Sequence, residues 1–550
     1  MRDDGGVSPE MSPEMSPNLG RAEQSSGSPT DQLPREPRPP GPGGVEVPRR
    51  LLALAGVLAG AAGIVLSEAA ASALRAETSP VEAVAAAVRD FTPGPIALFL
   101  IHLVGAADKP LLLGGTAVIV LGICGYAASW IRRFPLAPDL VFFALAAVGL
   151  LAILRLPRPG IGSSLALMIG FVTWIITLRL LTAPLLGEVP GEDAPDSRRR
   201  DFLIRSGGVV VFVGLLAVAG RMAGSGRAHV EQARRLLRLP VKHGEAPPGA
   251  SLRVPGIAPW RTPNKDFYLI HTTLAPPSIS PPDWQLRIHG MVDRELTIGY
   301  QDLIDRTLTE AWVTLCCVSN EVGGDLIGNA WWSGVLVREL LAEAGVQPGA
   351  NAVLQTSHDG WNCGTPLAAL TDDRNALLAV AMNGAPLPVE HGFPVRMVVP
   401  GLYGYVSATK WLVDIEVTRF DKIDAYWTVR GWSEKGPVKT QSRIDVPRDG
   451  AEVPAGRVRI GGSAWAQHTG IERVEYQLDG AGWEDAQLGR VPHADTWVQW
   501  SASVDVEPGE HLLAVRATDA SGYTQTSVRT EVVPDGATGW HSIGFDATEG

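Results

Sequence analysis

Hydrophobic and polar positions change their rhythm three times along the chain. Residues 51–72, 111–131, 139–155, 161–183 and 203–223 are near-continuous apolar runs approaching the ~20 residues that a bilayer core requires, so the pattern predicts five spanning helices. The shorter stretch 92–107, broken by proline, reads as re-entrant or interfacial. From 255 to about 420 short alternating runs such as WQLRIHG (284–290) and ATKWLVDIEV (408–417) interleave with a helical run, WWSGVLVRELLAEAG (331–345). That mixture predicts an α+β domain. From 447 to 535 the alternation has period two throughout, in RVRIGGSAWA (457–466), IERVEYQLDG (471–480) and HLLAVRATDA (511–520), with turn residues spaced as in an immunoglobulin-like sandwich. The chain is therefore read as multi-domain: a tail over 1–48, an α-helical transmembrane region over 49–224, a linker over 225–254, an α+β domain over 255–425 and an immunoglobulin-like β-sandwich over 426–545.

Composition supports the division. Residues 1–48 are rich in Pro, Gly, Ser and charge, a makeup that cannot bury a core. Hydrophobic residues make up 45% of the chain and charged residues only 19%, a balance that points to membrane lipid as a partner. A net charge of -11, with no long basic run, speaks against nucleic acid. The linker segment HVEQARRLLRLP is basic and amphipathic, suited either to a membrane surface or to a plain connector helix. Four cysteines, Cys124, Cys316, Cys317 and Cys363, are too few for a disulfide framework and lack paired CxxC spacing.

Lysine and arginine placement gives an orientation. Arg49 and Arg50, Arg132 and Arg133, and Arg198 to Arg200 fall on one side of five spans, against Arg155 and Arg158 on the other. The positive-inside tendency puts the N-terminus in the cytoplasm and everything after about 225 outside it. The run SRRRDFLIRSGG (197–208) before the fifth span resembles a twin-arginine export signal; the plain alternative is another positive-inside cluster. His102 is the only histidine between 51 and 223, so no intramembrane haem is expected, and no CxxCH attachment site occurs. The sequence leaves the electron-transfer partner unassigned.

The chemistry concentrates in TLCCVSNEVGGDLIGNAWWSGVLVREL (314–340). A cysteine ends an apolar β run, and a Gly- and Asn-rich loop follows that can bring backbone N–H groups to an anion. A thiolate there is a soft metal ligand; the plain alternative is a buried, inert cysteine beside a turn. Two further segments shift the balance. TPNKDFYLIH (262–271) opens the domain, and HGFPVRMVVPGLYGYVSATKW (391–411) closes it with His391, Arg396, Lys410 and several glycines. Basic groups and Gly-lined backbone suit a phosphate-bearing ligand.

Together these segments resemble the sulfite oxidase family of molybdopterin enzymes, whose loop reads approximately TLQCAGN and then IGNAxWxG, followed later by HGFPVRxVVPG and KW. The resemblance covers 255 to about 545, including a sandwich like the family's C-terminal dimerisation domain, and it implies Mo-molybdopterin as cofactor and oxygen-atom transfer on a small molecule. Carried over, Cys317 matches the molybdenum-binding cysteine, while Cys316 stands where the family usually has Gln. Tyr268, His271 and Asn320 fall in pterin-lining segments, and His391 and Arg396 match a phosphate-holding pair. Ser407 and Lys410 match the S-x-K-W end of the pocket, and Asp359 an acidic pterin contact. Departures concern substrate. Glu321 and Val322 stand where the family carries arginines, Trp361 falls near its active-site tyrosine, and Arg287, two residues beyond Gln285, is the candidate replacement cation. Sulfite oxidation is the default reaction implied; reduction of S-oxides or N-oxides is the alternative. A non-catalytic membrane receptor binding through PHADTWVQW (492–500) is a further one, and Trp497 and Trp500 are candidate exposed aromatics for a homodimer.

Overall fold

A computed structural model describes residues 48–74, 76–93, 96, 107–156, 158–187, 194–223 and 226–549. The tail over 1–47, His102 and most of the 92–107 stretch lie outside them. Seven helices come first among the described residues: α1 Arg49–Ala73, α2 Pro80–Phe91, α3 Asp108–Ser129, α4 Ala137–Leu154, α5 Ile161–Leu186, α6 Ala194–Ala223 and α7 Gly226–Leu236. Five of them, α1 and α3 to α6, are long and apolar enough to cross a membrane. Helix α1 is the hub. Its buried face is small, with Ala55, Gly56, Ala59, Gly60, Ala62 and Gly63, so neighbouring backbones approach closely. Trp174 of α5 lies against it and donates from Nε1 to the Gly60 carbonyl at 3.0 Å.

The ends of the bundle differ. Arg49 stacks on Trp130 at the C-terminus of α3, which puts the start of α1 beside the end of α3. At the other end Arg155 covers Phe91, and Ser163 donates to the Thr78 carbonyl. Helix α2 begins with a capping box, Ser79 and Glu82 bonding reciprocally to each other's backbone. The sequence reading missed this helix. The last apolar helix starts at Ala194 rather than 203, so Arg198 to Arg200 are helical.

Two sheets follow. Strands β1 Gln285–Gly290, β2 Leu296–Gly299, β3 Thr309–Cys316, β4 Ile327–Leu336, β5 Ala352–Ser357, β6 Asn362–Pro366, β7 Leu377–Met382, β8 Ala385–Pro386, β9 Arg396–Val398 and β10 Leu412–Thr418 build them. One sheet runs β2-β1-β10-β5-β6; the other runs β3-β4-β7-β8 with β9 also on β7. The run 331–345 is divided: Trp331 to Leu336 are strand, paired with β3 and β7, and the helix takes the larger part, Val337–Ala344. Aromatic and β-branched residues fit the pleat better than a helix. The connector α7 packs Val230 into the domain, and Arg234 donates to the Pro386 carbonyl, so it lies on protein.

Strands from Gln441–Val446 to His541–Thr548 form two more sheets that share one core, with Ile460 and Trp500 from one and Val474, Leu513 and Ile543 from the other. This C-terminal unit is locked to the edge of β3. The Thr314 amide donates to the Asp495 carbonyl, and the Trp497 amide to the Thr314 hydroxyl, both at 2.9 Å. Trp260 and Trp497 donate from their indoles to each other's carbonyls at 3.1 and 2.8 Å. Trp497 and Trp500 are buried, at 2% and 0% exposure, which corrects the expectation that they are exposed. The 492–500 segment covers a strand edge that would otherwise be unpaired.

Candidate active site

Strand β3 delivers the two cysteines to different surroundings. Successive residues of a strand face opposite ways. Cys316 faces the core, 1% exposed, and burial pushes its thiol well above the usual range. Cys317 follows the strand end, half-buried, its amide bonded to the Leu326 carbonyl at 2.9 Å. Burial raises the Cys317 thiol too, opposed by hydrogen bonds from Ser319 and by the charge of Lys410. Loss of that proton would make Cys317 a soft thiolate ligand.

The 317–326 loop is held from both ends. Asn320 accepts from the Leu326 amide at 2.8 Å through Oδ1, while its Nδ2 is buried without a partner. Arg443, from the C-terminal unit, donates to the Gly324 carbonyl at 2.8 Å and is paired with Asp445. Asn329 of the IGNAWWSG run has a structural part, accepting from Thr314 and donating to the Trp260 carbonyl.

Beside the loop lie two buried cations, Arg396 and Lys410, that make no carboxylate ion pair among the described residues, and two histidines packed near them. Arg396 is 4% exposed, sits 5.1 Å over the Trp332 ring, and donates only to the carbonyls of His391, Met397 and Ala408 among the described residues. Burial pushes its guanidinium down to about 10. Lys410 donates to the Glu390 carbonyl at 3.0 Å and lies 5.3 Å from the Trp411 ring centre; burial and then Arg396 depress it well below the usual lysine range. His391 bonds the Asn264 carbonyl through Nε2 at 3.0 Å, so Nε2 carries the proton. Its pKa is pushed down to about 3 by burial, then by Arg396 and Lys410. His271 stacks edge-on to Trp411, its Nδ1 buried without a partner, and burial and Lys410 push it down to about 3. Gly392, at φ +107°, threads between the cations: a Cβ there would lie 3.0 Å from that of Arg396 and 3.1 Å from that of Lys410. Gly404 likewise leaves room near the Tyr268 hydroxyl. Burial keeps that phenol protonated, a donor.

Buried cations without an ion-paired carboxylate among the described residues, two orphaned polar atoms and side-chain-free backbone fit an oxyanion-bearing ligand. Among the described residues no cluster of three or more His, Cys, Asp or Glu could hold a metal by itself.

Cys317, Tyr268, His271, Asn320, His391, Arg396 and Lys410 are thus brought together. Asp359 joins them through its field on Lys410, but its Oδ1 accepts from the Trp361 amide at 3.2 Å. Trp361 is half-buried on the same β5–β6 turn. Ser407 is fully buried, and its hydroxyl donates to the Tyr403 carbonyl at 2.9 Å, which fixes the loop rather than lining the pocket. Arg287 is a correction: the core claims Leu286 and Ile288, so Arg287 points outward to Glu295 at 2.9 Å and is not a pocket cation. Glu321 is exposed on the loop. Sequence reasoning did not single out Arg443, Trp332 or Asn264; the last two lie inside the quoted IGNAWWSG and TPNKDFYLIH segments, whereas no local motif marks Arg443.

Residues 273–427 match the family described as oxidoreductase molybdopterin binding domain. Sulfite oxidase of Gallus gallus is 30% identical over 311 residues, 47% of this chain and 67% of that protein. Mitochondrial sulfite oxidase of Homo sapiens is 31% identical over 301 residues, 46% of this chain and 55% of that one. An uncharacterized oxidoreductase of Bacillus subtilis (strain 168), YuiH, is 32% identical over 180 residues, 33% of this chain and 87% of its own. Among solved structures, the sulfane dehydrogenase SoxCD from Paracoccus pantotrophus is 25% identical, with a TM-score of 0.45 over 54% of this chain and 83% of that one. The chain spans between about half and four fifths of the length of the sulfite oxidases it matches.

The fold and the pocket therefore define a molybdopterin-binding oxidoreductase. Within that class the chain belongs to the sulfite oxidase family, and its cofactor is Mo-molybdopterin.

Proposed function

We propose that this chain is a membrane-anchored oxidoreductase that performs oxygen-atom transfer on a small molecule, with its catalytic domain outside the cytoplasm. The observation that carries the reading is Cys317 at a strand end beside Arg396 and Lys410, which among the described residues make no carboxylate ion pair. When bound, Mo-molybdopterin supplies the two-electron and oxygen-transfer chemistry. Cys317 would present sulfur to the metal; Arg396, Lys410, His391 and His271 would hold the phosphate end; Tyr268 would offer a proton donor. Sulfite is the default substrate by kinship. S-oxide or N-oxide reduction remains the second reading because Arg287 faces solvent and Glu321 and Val322 replace the family's arginines. Comparing kcat/KM for sulfite oxidation and for methionine or dimethyl sulfoxide reduction on the same loaded protein decides between them, and purified protein without molybdenum or pterin would overturn both.

Membrane anchoring rests on five long apolar helices. Positive-inside orientation is supported by Arg49 and the residues near Trp130 lying at the bundle end opposite the one that touches the catalytic domain. The Arg199–Arg200 pair is proposed as part of a twin-arginine signal for exporting a folded domain. Residues 426–545 are proposed as an immunoglobulin-like dimerisation domain, supported by two sheets over one core. Monomeric behaviour at micromolar concentration in sedimentation would refute that assignment.

A further inference from the structure

We propose that Lys109, contributed by the helical region, completes the oxyanion-binding set of the molybdopterin pocket. The inference rests on the functional reading above and extends it to a residue outside the matched domain.

The end of the bundle opposite Arg49 meets the catalytic domain through a few polar contacts. Lys109, at the start of α3, donates from Nζ to the His271 carbonyl at 2.9 Å. Arg89 of α2 donates to the next carbonyl, Thr272, and Glu77 lies 3.6 Å from His358. Lys109 thus stands at the residue whose ring packs on Trp411, and Lys410 lies against the same Trp411 ring. The charge of Lys109 acts on both His271 and Lys410, in the same sense as Arg396 acts on Lys410. Asp359 and Glu390 act on Lys410 in the opposite sense and more weakly. Like charges so placed repel, and the arrangement is stabilised when an anion joins them. His271 Nδ1, buried and unpartnered, marks where a hydrogen bond is missing.

Within the catalytic domain Arg287 is turned to Glu295 and adds no charge to the pocket, whereas Lys109 brings one from a helix 162 residues upstream. The ligand chemistry is an oxyanion, whether the phosphate of the cofactor or a small anionic substrate.

The test uses the full chain in detergent, loaded with cofactor. Molybdenum and pterin per polypeptide are followed after dilution, and sulfite KM and kcat are measured separately. Variants are Lys109→Met, Lys109→Arg and Arg89→Gln, the last removing a docking contact but no cation of the cluster. Loss of pterin about tenfold faster in Lys109→Met, restored in Lys109→Arg and absent in Arg89→Gln, supports the phosphate. Full retention with sulfite KM raised about tenfold and kcat within about twofold supports the anionic substrate. Unchanged retention and KM in Lys109→Met, or equal losses in Arg89→Gln, overturn the inference while a loaded wild type leaves the functional reading standing. A wild type that never holds molybdenum overturns the functional reading itself.

Discussion

Lowering the pH should loosen the cofactor-free pocket far more than the loaded one. His271 and His391 are both held at about 3 by burial and by neighbouring cations. In the unfolded chain a histidine titrates near 6.5. The folded values are depressed, so their stability contribution is fully present above about 6.5 and is lost as pH falls toward 3. At about pH 5 each histidine binds roughly one proton more in the open state than in the folded one. Integrating from about 6.5 down to 5 gives a loss of about 2 kcal/mol per residue, about 4 for the pair. A bound phosphate dianion would offset the Arg396 and Lys410 charges, raise both histidines and shrink the loss. The assay is amide hydrogen exchange of segments 264–272 and 389–411, corrected for intrinsic rates, at about pH 8 and pH 5, with and without cofactor. Opening free energies that fall by several kcal/mol only in the cofactor-free protein are expected. Equal sensitivity with and without cofactor, or full retention of it in the double variant His271→Gln, His391→Gln, would refute the reasoning.

Cys317→Ser should keep the fold and remove one sulfur from the metal's X-ray absorption signature, whereas Cys316→Ser should leave that count unchanged. Arg443→Gln leaves the half-buried Asp445 with the Ala258 amide but no cation and frees the Gly324 carbonyl; a loss of about 1–3 kcal/mol in thermal or denaturant unfolding is expected, with faster pterin release. Gly63→Leu would drive a side chain into the Trp174 ring, which already occupies the space an added Cβ would need, and should lower the yield of folded protein in detergent size-exclusion. Arg199→Lys with Arg200→Lys keeps the charge, yet should leave the catalytic domain protected from external protease in spheroplasts; full exposure would remove the export signal.

Much of the pocket was readable because its residues sit in unbroken local runs: the cysteine pair, His391 to Arg396, and Lys410 beside Trp411. The five long apolar helices were readable for the same reason, being contiguous and apolar. What escaped depends on register or distance. Arg287 looked usable until the alternation of β1 gave the inward positions to Leu286 and Ile288. The 331–345 run carries helix-compatible spacing, but pairing with β3 and β7 overrides local propensity as far as Leu336. Trp497 and Trp500 looked like surface anchors because nothing local announces that β3 needs a partner. Arg443 and Lys109 reach the site from 119 and 162 positions away, beyond any motif.

The lock between β3 and the 493–497 segment also sets a timetable. Thr314 is bonded to Asp495 and Trp497, and the Trp497 contact closes across 183 residues. A ribosome releases the chain from its N-terminus, so when Cys317 emerges the residues that clamp its strand have not yet been made. Long-range closures of this kind form late. Productive capture of the cofactor is therefore an event of the finished chain, and a polypeptide stopped before about residue 440 would carry the whole matched domain yet offer only a loose, poorly retentive cradle.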